Sequence, residues 1–129
     1  MTSAVSVETA AGRLRLVGLH PSVPGSPSRL ASRDRQILAA ARTLEAEGPG
    51  LMVGDLNATP WTTALQAVRR ETGVRRVSTG LASTWFAPWP FLGIPIDHVL
   101  VTPGLRASAR VGPGVGSDHM PLIVRVGAP

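Results

Sequence analysis

The run Leu51-Met52-Val53-Gly54 constrains this chain most. It is short and wholly apolar, with Gly48-Pro49-Gly50 before it and Asp55 after it. A half-exposed strand alternates polar with apolar residues, so this run reads as a strand buried on both faces. Helical patterns flank it. Upstream, from about 29 to 47, Leu30, Ile37, Leu38, Ala41 and Leu44 fall on one helical face, and the Gly-Pro-Gly run stops that helix. Downstream, Thr59 suits an N-cap and Pro60 the first helical position, and the pattern reaches about Glu71 before Gly73.

The other segments are mostly strands. Residues 4–9 and 13–19 flank Ala10-Ala11-Gly12 as a β-hairpin. Residues 21–27 form a Pro/Gly/Ser loop that leaves His20 at a strand end. Ser83-Thr84-Trp85 reads as a short strand and 86–95 as an aromatic, proline-rich loop. Residues 95–101 and 105–111 read as a strand pair around Thr102-Pro103-Gly104, 112–116 as a glycine-rich turn, and 120–126 as the last strand. The expected fold class is therefore α/β (α+β): a mixed, mostly antiparallel sheet with about two helices on one face. The 129 residues make a single domain without repeats or linkers.

Composition excludes some chemistry. Without cysteine there are no disulfides, thiolate metal sites or cysteine nucleophiles. The formal charge is +5, and all thirteen basic residues are arginine, which grips phosphate in a bidentate way. An Ala, Gly, Pro and Arg-rich chain without lysine or tyrosine also reflects a GC-rich genome, so the charge alone assigns nothing. Residues 1–7 carry no signal-peptide pattern, and no apolar run approaches the roughly 20 residues of a membrane span. The expected location is the bacterial cytoplasm, unless a membrane region lies upstream.

The polar residues are few and concentrated. Asparagine occurs once, at Asn57; histidine at His20, His98 and His119; and three of four aspartates, Asp55, Asp97 and Asp118, follow apolar strands or glycine-rich turns. Strand ends are where α/β folds build sites. Phosphoester hydrolysis needs a cation to offset phosphoryl charge, an activated water and help for the leaving oxygen. Aspartates bind hard cations through oxygen, a carboxylate-held histidine is a tuned base, and an asparagine amide donates to a developing oxyanion. Asp55, Asn57, Asp97, Asp118 and His119 supply these types.

Gly54-Asp55-Leu56-Asn57, Ile96-Asp97-His98-Val99-Leu100 and Ser117-Asp118-His119-Met120-Pro121-Leu122 resemble, in order and spacing, the last three motifs of the endonuclease/exonuclease/phosphatase superfamily. Leu19-His20-Pro21 resembles its strand-end His motif, so the likeness covers about residues 4 to 126. The resemblance implies catalytic roles for His20, Asp55, Asn57, Asp97 and His119. Asp55 orients the water or assists the leaving group, Asn57 and His20 contact the phosphate, and Asp97 orients the base His119. It implies Asp118, with Asp55 and Asn57, as ligands of Mg²⁺, or of Mn²⁺ or Ca²⁺. The implied activity is metal-dependent hydrolysis of a phosphodiester or phosphomonoester in a nucleic acid, a phospholipid or a small phosphate ester. The family's N-terminal Asn and Gln-Glu motifs have no counterpart here, so the chain resembles the C-terminal half of a four-layer α/β/β/α sandwich.

Two expectations follow from that half. With all strands in one sheet, a face on the order of 500 Å² stays uncovered, which predicts a homodimer or a complementing N-terminal half. The alternative to an enzyme is an inactive half-domain that assembles with a partner. Among the remaining residues, His98 is expected to be structural, since it follows Asp97 on a strand and faces the other side. Trp61 and Trp85 are expected in the core, Trp89 at the substrate, and the pairs Arg69-Arg70 and Arg75-Arg76 on a solvated face.

Overall fold

The structure is a computed structural model describing residues 1–10, 12–77, 79–86 and 88–127. Ala11 of the hairpin turn and Ala87 of the aromatic loop lie outside the described residues. The elements run β1 (Thr2–Thr9), β2 (Gly12–Leu19), α1 (Pro27–Glu47), β3 (Gly50–Asp55), α2 (Thr63–Glu71), β4 (Arg75–Arg76), β5 (Asp97–Val101), β6 (Arg106–Val111) and β7 (Leu122–Gly127). A 3₁₀ turn, Pro90–Leu92, lies in the aromatic loop. Five strands form one sheet in the order β1-β2-β3-β5-β4, and β6 and β7 form a second. Within the first sheet only β2 and β3 are parallel, joined through α1.

The apolar run occupies the middle strand, as its composition predicts. Met52 faces a core with Ile37, Ala41 and Leu44 of α1 and Ala64, Leu65 and Val68 of α2. Leu51 faces a second core with Leu14, Val99 and Val101. Both helices thus cover one face, and successive β3 residues fill opposite layers.

Two expected boundaries differ. The second helix starts at Thr63, not Pro60. The Thr62 backbone N–H and hydroxyl both donate to the Thr59 carbonyl, at 3.1 and 2.9 Å, so residues 59–62 close a turn before the helix begins. β5 and β6 are not a pair; they lie in different sheets. Thr102 is buried, and its Oγ1 accepts from Gly50 N at 3.0 Å while its own N–H donates to Gly50 O at 3.1 Å. That ties the end of β5 to the start of β3. The following turn, with Gly104 at φ 82°, carries the chain onto the other layer.

β6 then pairs with β7 from Arg106↔Gly127 to Val111↔Leu122. Ala107, Ala109, Leu122, Val124 and Val126 pack on Leu14, Leu51, Val99 and Val101, while Arg106, Ser108 and Arg110 face outward. The face expected to stay uncovered is therefore partly covered by the chain itself, in a helix, sheet, sheet stack. A single sheet of all strands was the wrong distribution, because the period-2 pattern of β6 does not say which sheet it joins.

Candidate active site

Asp55 ends β3 and Asp97 begins β5, and the antiparallel register sets them directly opposite each other. Directly opposed residues on antiparallel strands point to the same face, so two carboxylates meet at one sheet end. The glycine before Asp55 lets the end of β2 lie close against β3. Gly54 sits at φ 150°, and a Cβ there would lie 2.0 Å from the Leu19 carbonyl oxygen.

The chain after Asp55 is a side-chain-closed turn. Asp55 Oδ1 accepts from the Asn57 backbone N–H at 2.8 Å, and Asn57 takes φ 49°, a left-handed conformation that Asn tolerates better than most residues. The Asn57 side-chain amide donates to Pro21 O at 3.1 Å, drawing the His20–Pro21 strand end against the turn. His20 is exposed, with Nδ1 3.2 Å from Asp55 O and 3.8 Å from Asp55 Oδ2.

His119 completes the group. Its Nδ1 lies 2.9 Å from Asp97 Oδ2, and its Nε2 lies 3.9 Å from Asp55 Oδ2. With Nδ1–H donated to Asp97, Nε2 is left facing Asp55. Burial works against the imidazolium, but the hydrogen bond to Asp97 and the charges of Asp97, Asp55 and Asp118 outweigh it and raise the His119 pKa above its ordinary value. Burial also raises the Asp55 pKa, opposed by the Asn57 N–H and reinforced by Asp97. Asp118 is exposed; its carbonyl accepts from Phe86 N at 2.9 Å.

Residues 84–86 join these pieces. Ser83-Thr84-Trp85 was expected as a strand, and Trp85 bridges to both Ile94 and His119. Met120 N donates to Thr84 O at 2.7 Å, linking the Asp118-His119 loop to this segment. The buried Thr84 Oγ1 accepts from Ile96 N and Asp97 N, each at 3.0 Å. Thr84 thereby fixes the backbone of Asp97 and, through its carbonyl, the chain beside His119.

A cavity of about 380 Å³ opens over Asp55, Asn57 and His119. Its other wall is apolar: Val23, Pro24, Trp85, Ile94 and Ile96. Two tryptophan expectations need correction. Trp85 is 37% exposed and forms this wall instead of filling a core, and Trp61 is 61% exposed on the turn before α2. Trp89 stands on the aromatic loop against Phe91, at 5.7 Å between ring centroids.

His98 is structural, as expected. It is 1% exposed; Nε2 lies 2.6 Å from Ala58 O, and Nδ1 accepts from Arg76 Nε at 2.9 Å. Those contacts fix the neutral Nε2–H tautomer. Burial above all, with the Arg76 charge, lowers its pKa to about 4.

Arg33 is a residue that sequence reading missed. It is 4% exposed, donates to Asn57 O at 2.6 Å, and holds Asp34 Oδ1 through Nε and Nη2 at 2.8 and 2.6 Å. Thr63 Oγ1 closes the network on Asp34 Oδ2 at 3.0 Å. Helix α1 thus clamps the carbonyl of the Asp55–Asn57 turn. The signal was present: Arg33, Ile37, Ala41 and Leu44 are spaced along one buried stripe, where a solvated arginine would not sit.

The three carboxylates leave the site rich in negative charge, which a cation would offset. Among the described residues, however, no three Asp, Glu or His side chains converge closely enough to hold an ion.

The chain belongs to the endonuclease/exonuclease/phosphatase family, whose model matches residues 4–119. None of the curated proteins compared with it matches. Among solved structures, an endonuclease/exonuclease/phosphatase from Bacteroides vulgatus superposes with a TM-score of 0.78 at 21% identity, covering 99% of this chain and 55% of that one. A mannosyl-6-phosphatase from Bacteroides thetaiotaomicron gives 0.66 at 18%, with 89% and 51% covered. Sphingomyelinase C from Streptomyces griseocarneus gives 0.62 at 18%, with 98% and 56% covered. At these identities the likeness establishes the fold. The chain spans about half the length of each of these structures. Among the described residues no helix is long and apolar enough to cross a membrane.

Proposed function

We propose that this chain carries the base-bearing part of a divalent-metal-dependent phosphoester hydrolase site. The supporting observation is the Asp97–His119 pair at 2.9 Å, whose free Nε2 faces Asp55 at the floor of an open cavity. His119 Nε2 takes the proton of the water that attacks phosphorus, and Asp97 keeps the tautomer and steadies the imidazolium. The new P–O bond forms as the ester P–O bond breaks. Asp55 orients the water or assists the leaving oxygen. Asn57 and His20 contact the phosphoryl oxygens. Asp55, Asn57 and Asp118 are the donors this chain would offer a divalent cation, Mg²⁺ or failing that Mn²⁺ or Ca²⁺, which would offset the phosphoryl charge when bound together with ligands from outside the chain.

The apolar wall of Val23, Pro24, Trp85, Ile94 and Ile96 favours a substrate with an apolar group beside its phosphate over a bare nucleic-acid backbone. Turnover of bis-p-nitrophenyl phosphate with Mg²⁺ or Mn²⁺, lost in Asp55→Ala and His119→Ala, supports the hydrolase reading; turnover indifferent to both changes refutes it.

The lack of a three-donor cluster among the described residues and the half-length span favour a second reading, an inactive half-domain that assembles with another chain. Size-exclusion chromatography with light scattering tests it: a well-folded monomer at micromolar concentration counts against assembly with a second copy.

A further inference from the structure

β4 lies at the sheet edge, and its two arginines point to opposite faces. Arg75 donates from Nη2 to Leu105 O at 2.9 Å, toward the second sheet. Arg76 stands opposite Leu100, which belongs to the helix-side core. The Arg76 Nε donates to His98 Nδ1 at 2.9 Å and its Nη2 to Thr79 Oγ1 at 3.2 Å. Both acceptors are neutral.

Arg76 is half-buried, and burial lowers its pKa. The other arginines with well-covered side chains have carboxylates: Arg15 pairs with Glu47 at 2.9 Å and Arg33 with Asp34 at 2.6 Å. Among the described residues, Arg76 has no carboxylate within ion-pair distance. A partly desolvated guanidinium without an opposite charge is costly, and an anion that supplies the charge recovers that cost.

The space for one is there. A cavity of about 320 Å³ separates α2 from β4, lined by Arg76, Arg69 and Gln66 over Leu65, Val74 and Leu100. Arg69 alone has a simpler explanation, since it lies in the last turn of α2, where a cation complements the helix dipole. That explanation does not reach Arg76, which is on a strand. We infer that the cavity between α2 and β4 binds a phosphate group, held by Arg76 and Arg69 with Gln66 as a neutral partner. Two planar guanidinium forks match phosphate oxygens better than a halide. The site is separate from the Asp55–His119 cavity, and binding there needs no hydrolysis.

His98 makes the site readable. Its ring takes the Arg76 Nε–H on one nitrogen and holds Ala58 O, next to Asn57, on the other. An anion drawn to Arg76 must perturb that hydrogen bond. Titration of the 129-residue chain with inorganic phosphate at low ionic strength, followed by NMR of the His98 ring and the Arg76 Nε–H, should give a saturable shift. His119 in the same spectra reports any binding at the catalytic cavity separately. Gln66→Glu places an internal carboxylate beside the two arginines and should weaken phosphate at least about tenfold while the thermal midpoint holds or rises; Arg69→Gln should weaken it severalfold. A short oligodeoxynucleotide as second probe separates sources: tighter binding at the same resonances assigns a polymer phosphate, equal or weaker binding a free one. Unmoved His98 and Arg76 signals with both probes, or shifts that survive Gln66→Glu, overturn the inference.

Discussion

His98 should make the fold sensitive to acid in a calculable way. In the folded chain its pKa is about 4; in the unfolded chain it returns to the ordinary 6.5. The unfolded state therefore binds the proton more readily, and stability falls as pH drops. The loss begins near the unfolded pKa and is complete below the folded one. A gap of two to three units at about 1.4 kcal/mol each comes to roughly 3 kcal/mol, of which about 2 is lost by about pH 5. Asp55 and His119 act in the opposite sense, because both folded pKa values are raised and protonation stabilises the fold. The comparison must therefore be internal. Urea unfolding of the parent and of His98→Gln, from about pH 7 to about pH 4, isolates the term, since Asp55 and His119 are common to both. The variant should start less stable and lose about 3 kcal/mol less across that window. Parallel stability curves would refute a neutral, buried His98 held between Arg76 and Ala58.

Other perturbations test single supports of the site. Arg33→Met removes the donor to Asn57 O and leaves Asp34 with only the Thr63 hydroxyl, and should cost about 2–4 kcal/mol in urea unfolding, with faster amide exchange in the Asp55–Asn57 turn. Thr84→Val keeps the shape but removes the acceptor for Ile96 N and Asp97 N; about 2–3 kcal/mol should be lost, and Thr84→Ser should restore most of it. Gly54→Ala forces a Cβ onto Leu19 O, so it should fail to give a cooperative thermal transition, whereas Gly127→Ala, with open space around it and no positive φ, should keep one.

Much of this was legible because the site residues lie where local pattern is strong. The apolar run of β3 fixed the buried middle strand, and Asp-x-Asn after it is a turn that closes on itself, so Asp55 and Asn57 could be placed from sequence. Asp97 and His119 were joined only through the family resemblance, because local pattern does not show a contact that depends on the register between β3 and β5 and on the Thr84 hub. The β6–β7 layer was illegible for a similar reason: alternation gives a strand's two faces, not the sheet it joins. The tryptophans misled, since a large apolar ring serves a cavity wall as well as a core. Arg33 was overlooked though it sits on the apolar stripe of α1. The catalytic, substrate and metal roles of the site residues are proposals, and among the described residues no three metal-donor side chains converge.

The central claim is that His119, tuned by Asp97, is the base for phosphoester hydrolysis. The most direct measurement is the pH dependence of kcat/KM on bis-p-nitrophenyl phosphate with Mg²⁺ or Mn²⁺, for the parent and for Asp97→Asn. A base must be neutral to act, so kcat/KM should fall on the acid side as His119 takes up its proton. Asp97→Asn removes both the hydrogen-bonded carboxylate and its charge, so the limb should move to lower pH as turnover falls by about two orders of magnitude or more. An acid limb that stays in place in Asp97→Asn, or turnover that persists in His119→Ala, would contradict the account.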